Sequence, residues 1–178
     1  MKKIFLIFLS LFVFYNYSSA KTFTAIIWKV SDGDTVWVKK GNKKIKLRLI
    51  GIDTPEKFSG YKLTRDAKKC AVHERQMSYL GKLASKFAKS ILKKRVRVTI
   101  VTYGKGYFKR TLAKIILPDH TDFNKLMIQE GYACLYKKTD KLSYNEFNAY
   151  YNSLLNAKKL RKGLWKMFPN IMNCLCFK

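Results

Sequence analysis

Residues 22–38 read TFTAIIWKVSDGDTVWV, and this stretch decides the fold. Two runs rich in β-branched and aromatic residues, which favour extended backbone, flank the turn-forming sequence SDGD. The stretch therefore predicts two strands joined by a hairpin or a tight corner. A second turn at 40–43 leads into IKLRLI at 45–50, which alternates apolar with basic residues up to Gly51. We therefore expect three consecutive strands before residue 53.

The middle of the chain predicts one amphipathic helix and two further strands. Between residues 66 and 94, apolar side chains recur at steps of three and four, as on one face of a helix. This inward face carries Met77, Leu80, Ala84, Phe87 and Ile91. The alternating run 96–100 and the apolar run 112–117 predict strands four and five.

Two more helices are predicted near the C-terminus. One begins at Thr121 or Asp122, which are both good N-caps, and ends at Gly131. The other begins with the capping box from Ser143 and ends at Gly163. Its predicted inward side chains are Phe147, Tyr150, Tyr151, Leu154 and Leu155. The whole pattern is typical of a mainly β fold, a five-stranded Greek-key barrel of the oligonucleotide-binding (OB) type with three α-helices.

The chain is strongly basic, and its N-terminus has the pattern of an export signal. Its 37 Lys and Arg residues against 11 Asp and Glu residues indicate an anionic partner, either nucleic acid or an anionic membrane or cell wall. Residues 1–20 combine a charged start, an apolar run and a small-residue end, which predicts a signal peptide cleaved after Ala20. The apolar run is too short for a membrane anchor of about 20 residues. We therefore expect a mature protein in the periplasm or the medium, without a membrane span.

Four cysteines, at positions 70, 134, 174 and 176, allow three disulfide pairings, and the sequence does not choose among them. A zinc site is disfavoured because no two cysteines have Cys-x-x-Cys spacing and His73 and His120 lie far apart in the sequence. We expect one disulfide to tie down the tail beyond Trp165.

Acidic residues are concentrated in one short part of this basic chain. Asp32, Asp34, Asp53 and Glu56, four of the 11, fall within 25 residues. Clustered carboxylates repel one another unless a cation or protons intervene, and all-oxygen sites favour calcium or magnesium. The alternative is that each acidic motif simply forms a turn or starts a loop. A metal site is favoured by position, because Asp34 begins one strand and Asp53 ends another, and these ends can meet in a meander.

Several motifs resemble those of the staphylococcal nuclease (thermonuclease) family. DGDT at 32–35 and RLIGIDTPE at 48–56 resemble the family signature in order and approximate spacing. RTLA at 110–113 resembles its second arginine segment, and AKKLRKGLW at 157–165 resembles its closing helix and tryptophan. The resemblance implies a nuclease domain over 21–165, followed by a C-terminal tail over 166–178.

The resemblance also implies a role for each motif residue. Calcium would be held by the carboxylates of Asp34 and Asp53 and by the main-chain carbonyl of Thr54, with Asp32 as a supporting residue nearby. Glu56 would hold or deprotonate the attacking water. Arg48 and Arg110 would grip the scissile phosphate, although by charge pattern alone both are equally compatible with ordinary surface positions.

The implied function is a secreted, monomeric, calcium-dependent endonuclease that cleaves DNA and RNA with little sequence preference and leaves 3′-phosphates. An alternative with the same fold is a non-catalytic, exported nucleic-acid-binding barrel, which would need neither Glu56 nor both arginines. Membrane-surface binding would need a strongly amphipathic basic helix instead.

The loop before Arg110 departs from the family pattern. Residues 106–109 read GYFK, and Phe108 stands where the family commonly has a tyrosine. A phenylalanine can stack on a base or sugar but has no hydroxyl to offer a phosphate. Tyr136 and, less favourably, Tyr132 are further candidates for stacking. The basic segment 57–69 is either a track for the substrate backbone or a solvated loop.

Overall fold

A computed structural model describes residues 20–106, 108, 110–136 and 141–177. The predicted signal peptide lies outside these residues except for Ala20, so it stays a prediction. None of the helices in the described part is long and apolar enough to cross a membrane.

Five strands close into a barrel in the order β1, β2, β3, β6, β5. The pair β3 and β6 is parallel, and the other neighbours are antiparallel. The predicted OB-type barrel is therefore confirmed. Two short strands, β4 and β7, pair separately beside it. The strands are β1 Lys21–Asp32, β2 Thr35–Lys40, β3 Lys43–Leu49, β4 Ile52–Asp53, β5 Arg97–Lys105, β6 Thr111–Ile116 and β7 Cys134–Leu135.

The long strand β1 makes closure possible because it pairs with both β2 and β5. Its ladder with β2 has register shifts between Ile27 and Lys29 and between Val30 and Asp32. Such shifts bend a strand and increase its twist, so one strand can serve two sides of a barrel. Inward side chains of the strands, such as Val36, Val38, Leu47 and Leu49, are fully or almost fully buried in one core cluster.

The helix predicted between 66 and 94 is divided in the structure. Helix α1 covers Tyr61–Lys69 and α2 covers Glu74–Ile91. The break follows Cys70 and includes Ala71, whose φ of 53° is incompatible with a continuous right-handed helix. The predicted inward face is confirmed for Met77, Leu80 and Ala84, which are fully buried.

The next two helices agree with their predicted caps. Helix α3, Phe123–Gln129, begins after Asp122, whose side chain accepts from the Lys125 N–H. Helix α4, Tyr144–Lys159, has the predicted capping box of Ser143 and Glu146. The prediction of its inward face was partly wrong, because Tyr151 and Leu155 are 38% and 40% exposed. Only the narrow stripe of Tyr150, Leu154 and Ala157 is buried.

The segment beyond Trp165 is helical and joined to the domain by two disulfides. Helix α5 covers Leu164–Met167 and α6 covers Pro169–Phe177. Cys70 pairs with Cys174, and Cys134 pairs with Cys176, so α6 is tied both to the end of α1 and to β7. One disulfide was expected in the tail, and the structure has two, which leave no cysteine free for zinc.

Candidate active site

The predicted ligand residues meet where the ends of three strands come together. Asp34 lies in the turn between β1 and β2, and Asp53 ends β4. Thr35 is the register partner of Arg48, so the hairpin places Arg48 beside Asp34. The turn can approach Thr54 because residue 33 is glycine. A Cβ atom at Gly33 would lie 2.7 Å from Thr54 Cγ2, which is closer than real contacts allow.

Arg48 joins the two predicted carboxylate ligands. Its Nη1 lies 2.5 Å from Asp34 Oδ2, and its Nη2 lies 3.1 Å from Asp53 Oδ1. Asp34 Oδ2 also accepts from the backbone N–H and the hydroxyl of Thr54, each at 3.3 Å. The structure therefore brings Asp34, Asp53, Thr54 and Arg48 into one cluster.

The charges in this cluster shift the pKa values of its members. Burial alone would lower the pKa of Arg48, but the carboxylates of Asp34 and Asp53 raise it above its ordinary value. Burial raises the pKa of Asp53, although the charges of Lys62 and Arg48 oppose this rise. Arg48 therefore keeps its full positive charge at every physiological pH.

Lys62 is a member of the cluster that sequence reasoning missed. Its ammonium group donates to the carbonyl oxygen of Thr54 at 3.0 Å and lies 3.5 Å from Asp53 Oδ2 and 3.3 Å from Asp66 Oδ2. Lys62 and Arg65 on α1 also line the site cavity, so part of the basic segment 57–69 does face the site. The available signal was Asp66, an isolated acid four residues after Lys62, which is the spacing of a helical ion pair.

The donors of the predicted calcium site fit a hard cation chemically, because two carboxylates and one carbonyl offer only oxygen. Within the described ranges, no group of three or more His, Cys, Asp or Glu side chains is arranged to hold a metal ion. An ion at this position would therefore be bound by the carboxylates of Asp34 and Asp53 and by the main-chain carbonyl oxygen of Thr54. Water or substrate would complete its ligand shell. It would also compete with Lys62 for the Thr54 oxygen.

Helix α2 positions Glu56 at the edge of the cluster. The Glu56 main chain packs directly on Gly81, where a Cβ atom would lie 2.5 Å from the Glu56 carbonyl carbon. One turn earlier, the hydroxyl of Ser78 donates to the carbonyl oxygen of Lys57 at 2.8 Å. The Glu56 side chain is half-buried, and its Oε1 atom accepts a hydrogen bond from the Lys57 N–H at 3.2 Å. The contacts with Gly81 and Ser78 hold the main chain of residues 56 and 57 against α2.

Asp32 lies behind Glu56 and is buried. Its Oδ1 accepts from the Gly33 N–H at 2.9 Å and from the Ser85 hydroxyl at 2.8 Å. Burial, the hydrogen bond with Glu56 and the negative charges of Asp34 and Glu56 raise the pKa of Asp32 to about 7. Asp32 therefore holds its proton up to near neutral pH.

Asp32→Asn is expected to stabilise the protein above neutral pH. The folded-state pKa of about 7 lies above the ordinary value of 3.8, so the folded protein binds the extra proton between these values. The free energy of unfolding of the wild type should therefore fall as the pH rises from about 4 to about 7. At pH 8 the variant should be more stable by ~1–2 kcal/mol, and this gain should vanish at pH 4.

Urea unfolding in the presence of chelator measures both values. If the free energies of unfolding of the variant and the wild type differ by the same amount at pH 4 and pH 8, the Asp32 carboxylate is not the source of that difference. Ser85→Ala removes a donor to Asp32 without changing charge and serves as the control.

Arg110 closes the opposite side of the site, in a cavity of about 660 Å³. Burial and the positive charge of Arg48 lower the pKa of Arg110. Among the described residues that line the cavity, Asp53 is the sole acid and six are basic, namely Arg48, Lys62, Arg65, Lys105, Arg110 and Lys141. The cavity therefore suits an anion.

The three aromatic candidates take different positions. Tyr136 lines the cavity and is 41% exposed. Phe108 is 90% exposed, and its ring centre lies 5.7 Å from the Arg110 guanidinium carbon. Tyr132 instead stacks on Phe87 at 4.3 Å, so it packs the domain rather than offering a free ring.

Comparison with known proteins shows which family this chain resembles. A family model described as "Staphylococcal nuclease homologue" matches residues 46–167. "Thermonuclease" of Staphylococcus hyicus is 31% identical over 149 residues, which cover 83% of this chain and 79% of that protein. An "Uncharacterized endonuclease" of Haemophilus influenzae is 30% identical over 143 residues, covering 80% and 66%. "Endonuclease YhcR" of Bacillus subtilis is 28% identical over 156 residues, but this chain spans only 12% of its length.

Proposed function

Because the chain belongs to the staphylococcal nuclease family, we propose that it is a calcium-dependent endonuclease that hydrolyses the phosphodiester bonds of DNA and RNA. The observation that carries this proposal is the cluster in which Arg48 bridges Asp34 and Asp53 beside a basic cavity. A guanidinium group that is paired with two carboxylates has a fixed position. It can therefore neutralise the charge of a bound phosphate without reorganisation of the side chain.

In the proposed reaction, different residues of the chain have different roles. Arg48 and Arg110 approach the phosphate from two sides and stabilise the charge that develops on its oxygens. Glu56 accepts the proton of the attacking water, and its Oε1 atom accepts a hydrogen bond from the Lys57 N–H at 3.2 Å. The water oxygen bonds to phosphorus as the bond from phosphorus to the 5′ oxygen breaks, which leaves a 3′-phosphate. The departing 5′ oxygen takes a proton from solvent water to become a 5′-hydroxyl, and Glu56 returns its proton to solvent.

Calcium would be held by Asp34, Asp53 and the Thr54 carbonyl, a donor set without nitrogen or sulfur. When bound, it supplies Lewis-acid polarisation of the phosphate. Arg48 lies beside both of these metal ligands, and its positive charge limits their mutual repulsion.

Location and substrate range form part of the same proposal. The formal charge of +26 and the basic cavity favour polyanions, and no feature of the described residues directs a side chain to the edges of bases, so sequence preference should be slight. Export to the periplasm or the medium is supported by the signal-like residues 1–20 and by two disulfides, which persist in oxidising compartments. We propose a monomer.

Digestion of circular single-stranded DNA and of RNA in calcium tests the function. An endonuclease is expected to open the circle and then release short fragments that carry 3′-phosphates. Binding of the circle without any cleavage would instead support the non-catalytic nucleic-acid-binding barrel. Trimming of linear DNA with circles left intact would contradict the endonuclease assignment.

A further inference from the structure

A row of basic side chains on the outer face of β3 leads away from Arg48. In this strand Leu47 and Leu49 point into the barrel, whereas Lys44 and Lys46 are exposed on the side that Arg48 also faces. Successive outward side chains on one strand are about 7 Å apart. This step is comparable to one extended nucleotide unit with its six backbone bonds, so the row matches a run of phosphates.

Aromatic rings lie within this row. Trp37 is the register partner of Lys46, whose ammonium group lies 5.6 Å from the Trp37 ring centre. The Trp28 ring is surrounded by the ammonium groups of three lysines, at 4.7, 4.7 and 5.1 Å from its centre. These three are Lys39, Lys44 and Lys94. Both tryptophans are half-buried, so each offers part of a ring to the surface.

These lysines carry charge that the described part of the chain does not neutralise. Each observed ion pair there involves other basic residues, namely Arg48, Lys62, Arg65, Lys114 and Lys162. Three ammonium groups around one indole repel one another, and contact with the ring offsets this only in part. An anion that enters between them would relieve the repulsion.

We propose that this outer-face track, formed by Trp28, Trp37, Lys39, Lys44, Lys46 and Lys94, binds the single-stranded part of the substrate that extends beyond the cleavage site. The proposal rests on the proposed nuclease function, because the track leads to Arg48 in the proposed active site. Lysine stems are flexible, so a phosphate can draw the ammonium groups off the rings. The ring faces are then free for stacking by bases, which single strands expose and duplexes do not.

Strand geometry makes the track continuous with the active site. Register pairs along β2 and β3 run from Thr35 with Arg48, through Trp37 with Lys46, to Lys39 with Lys44. Each step therefore adds at least one cation or ring to the path. An anionic membrane fits this face less well, because membrane-surface binding relies on an amphipathic helix with a broad apolar side.

The test compares the double variant Lys44→Ala, Lys46→Ala with a control that removes the same charge, Lys159→Ala, Lys166→Ala. Lys159 and Lys166 are exposed on α4 and α5, outside the track. Binding of fluorescein-labelled (dT)20 is measured by anisotropy in chelator, so the result does not depend on catalysis. The track variant should bind about tenfold more weakly than wild type at about 0.15 M salt. Its salt slope should fall by about 1.4, because each phosphate that is no longer neutralised lowers the slope by about 0.7.

Kinetic measurements in calcium then distinguish an effect on the track from an effect on the active site. For (dT)20 the track variant should raise KM about tenfold with little change in kcat, whereas cleavage of a trinucleotide should be unchanged. Trp37→Ala should weaken (dT)20 binding, and Trp37→Phe should restore most of it, because a phenyl ring still stacks.

Three results would overturn the proposal. They are wild-type (dT)20 affinity in the track variant, an equally weakened affinity in the control variant, or an effect confined to vesicles of phosphatidylglycerol. A wild-type protein that binds (dT)20 through the track but cleaves nothing would contradict the proposed nuclease function and leave the track intact.

Discussion

Glu56→Gln is expected to lower kcat for single-stranded DNA by about a thousandfold, within the range of general-base contributions. Glutamine has nearly the same shape, and its amide oxygen can still accept from the Lys57 N–H, as Glu56 Oε1 does at 3.2 Å. The backbone contacts with Gly81 and Ser78 are also unaffected. The variant therefore removes the ability to take a proton from water while leaving the position of the side chain intact.

Single-turnover cleavage in saturating calcium measures this effect without interference from product release. Glu74→Gln is the matched control, because Glu74 is an exposed glutamate whose contact is the Thr64 hydroxyl on α1. Its rate should equal that of the wild type. Equal cleavage by Glu56→Gln would remove Glu56 from the assigned role while leaving the nuclease function standing.

Arg48→Ala should lower kcat/KM by about a thousandfold, the upper end of the range of about 10²–10³ for removal of one charge-stabilising donor. The variant also leaves Asp34 and Asp53 without the guanidinium that joins them. Arg48→Lys keeps the positive charge but lacks the planar, forked guanidinium group. Its kcat/KM should therefore be about tenfold higher than that of Arg48→Ala.

A thermal melt in chelator checks that each Arg48 variant is folded, and Arg75→Ala on the exposed side of α2 controls for the removal of a positive charge. Full activity in Arg48→Lys would show that charge alone suffices. Full activity in Arg48→Ala would exclude Arg48 from phosphate binding.

Much of the barrel could be predicted because its signals are local. Alternation along β3 and the turn sequences at 31–34 and 40–43 fix which side chains enter the core, and closure follows from the strand order. The break between α1 and α2 could not be predicted in the same way. It lies at Cys70, whose disulfide partner Cys174 is 104 residues away, and the sequence does not select that pairing.

The candidate site likewise contains some contacts that the sequence could predict and others that it could not. Asp34 and Asp53 were expected to meet because a meander brings those strand ends together, and they do. The contact of Lys62 with the Thr54 carbonyl depends on how α1 lies over the barrel, which no local pattern encodes. The hydrogen bond from Ser85 to Asp32 likewise joins residues 53 positions apart through the packing of α2.

The central claim is that Asp34, Asp53 and Thr54 hold a calcium ion needed for phosphodiester hydrolysis. Its most direct test is the rate of single-stranded DNA cleavage by the wild type and by Asp53→Asn as a function of free calcium. Cleavage by the wild type should be absent in chelator and return with added calcium, and Asp53→Asn should need at least about tenfold more calcium. Equal cleavage rates in chelator and in calcium would contradict the claim.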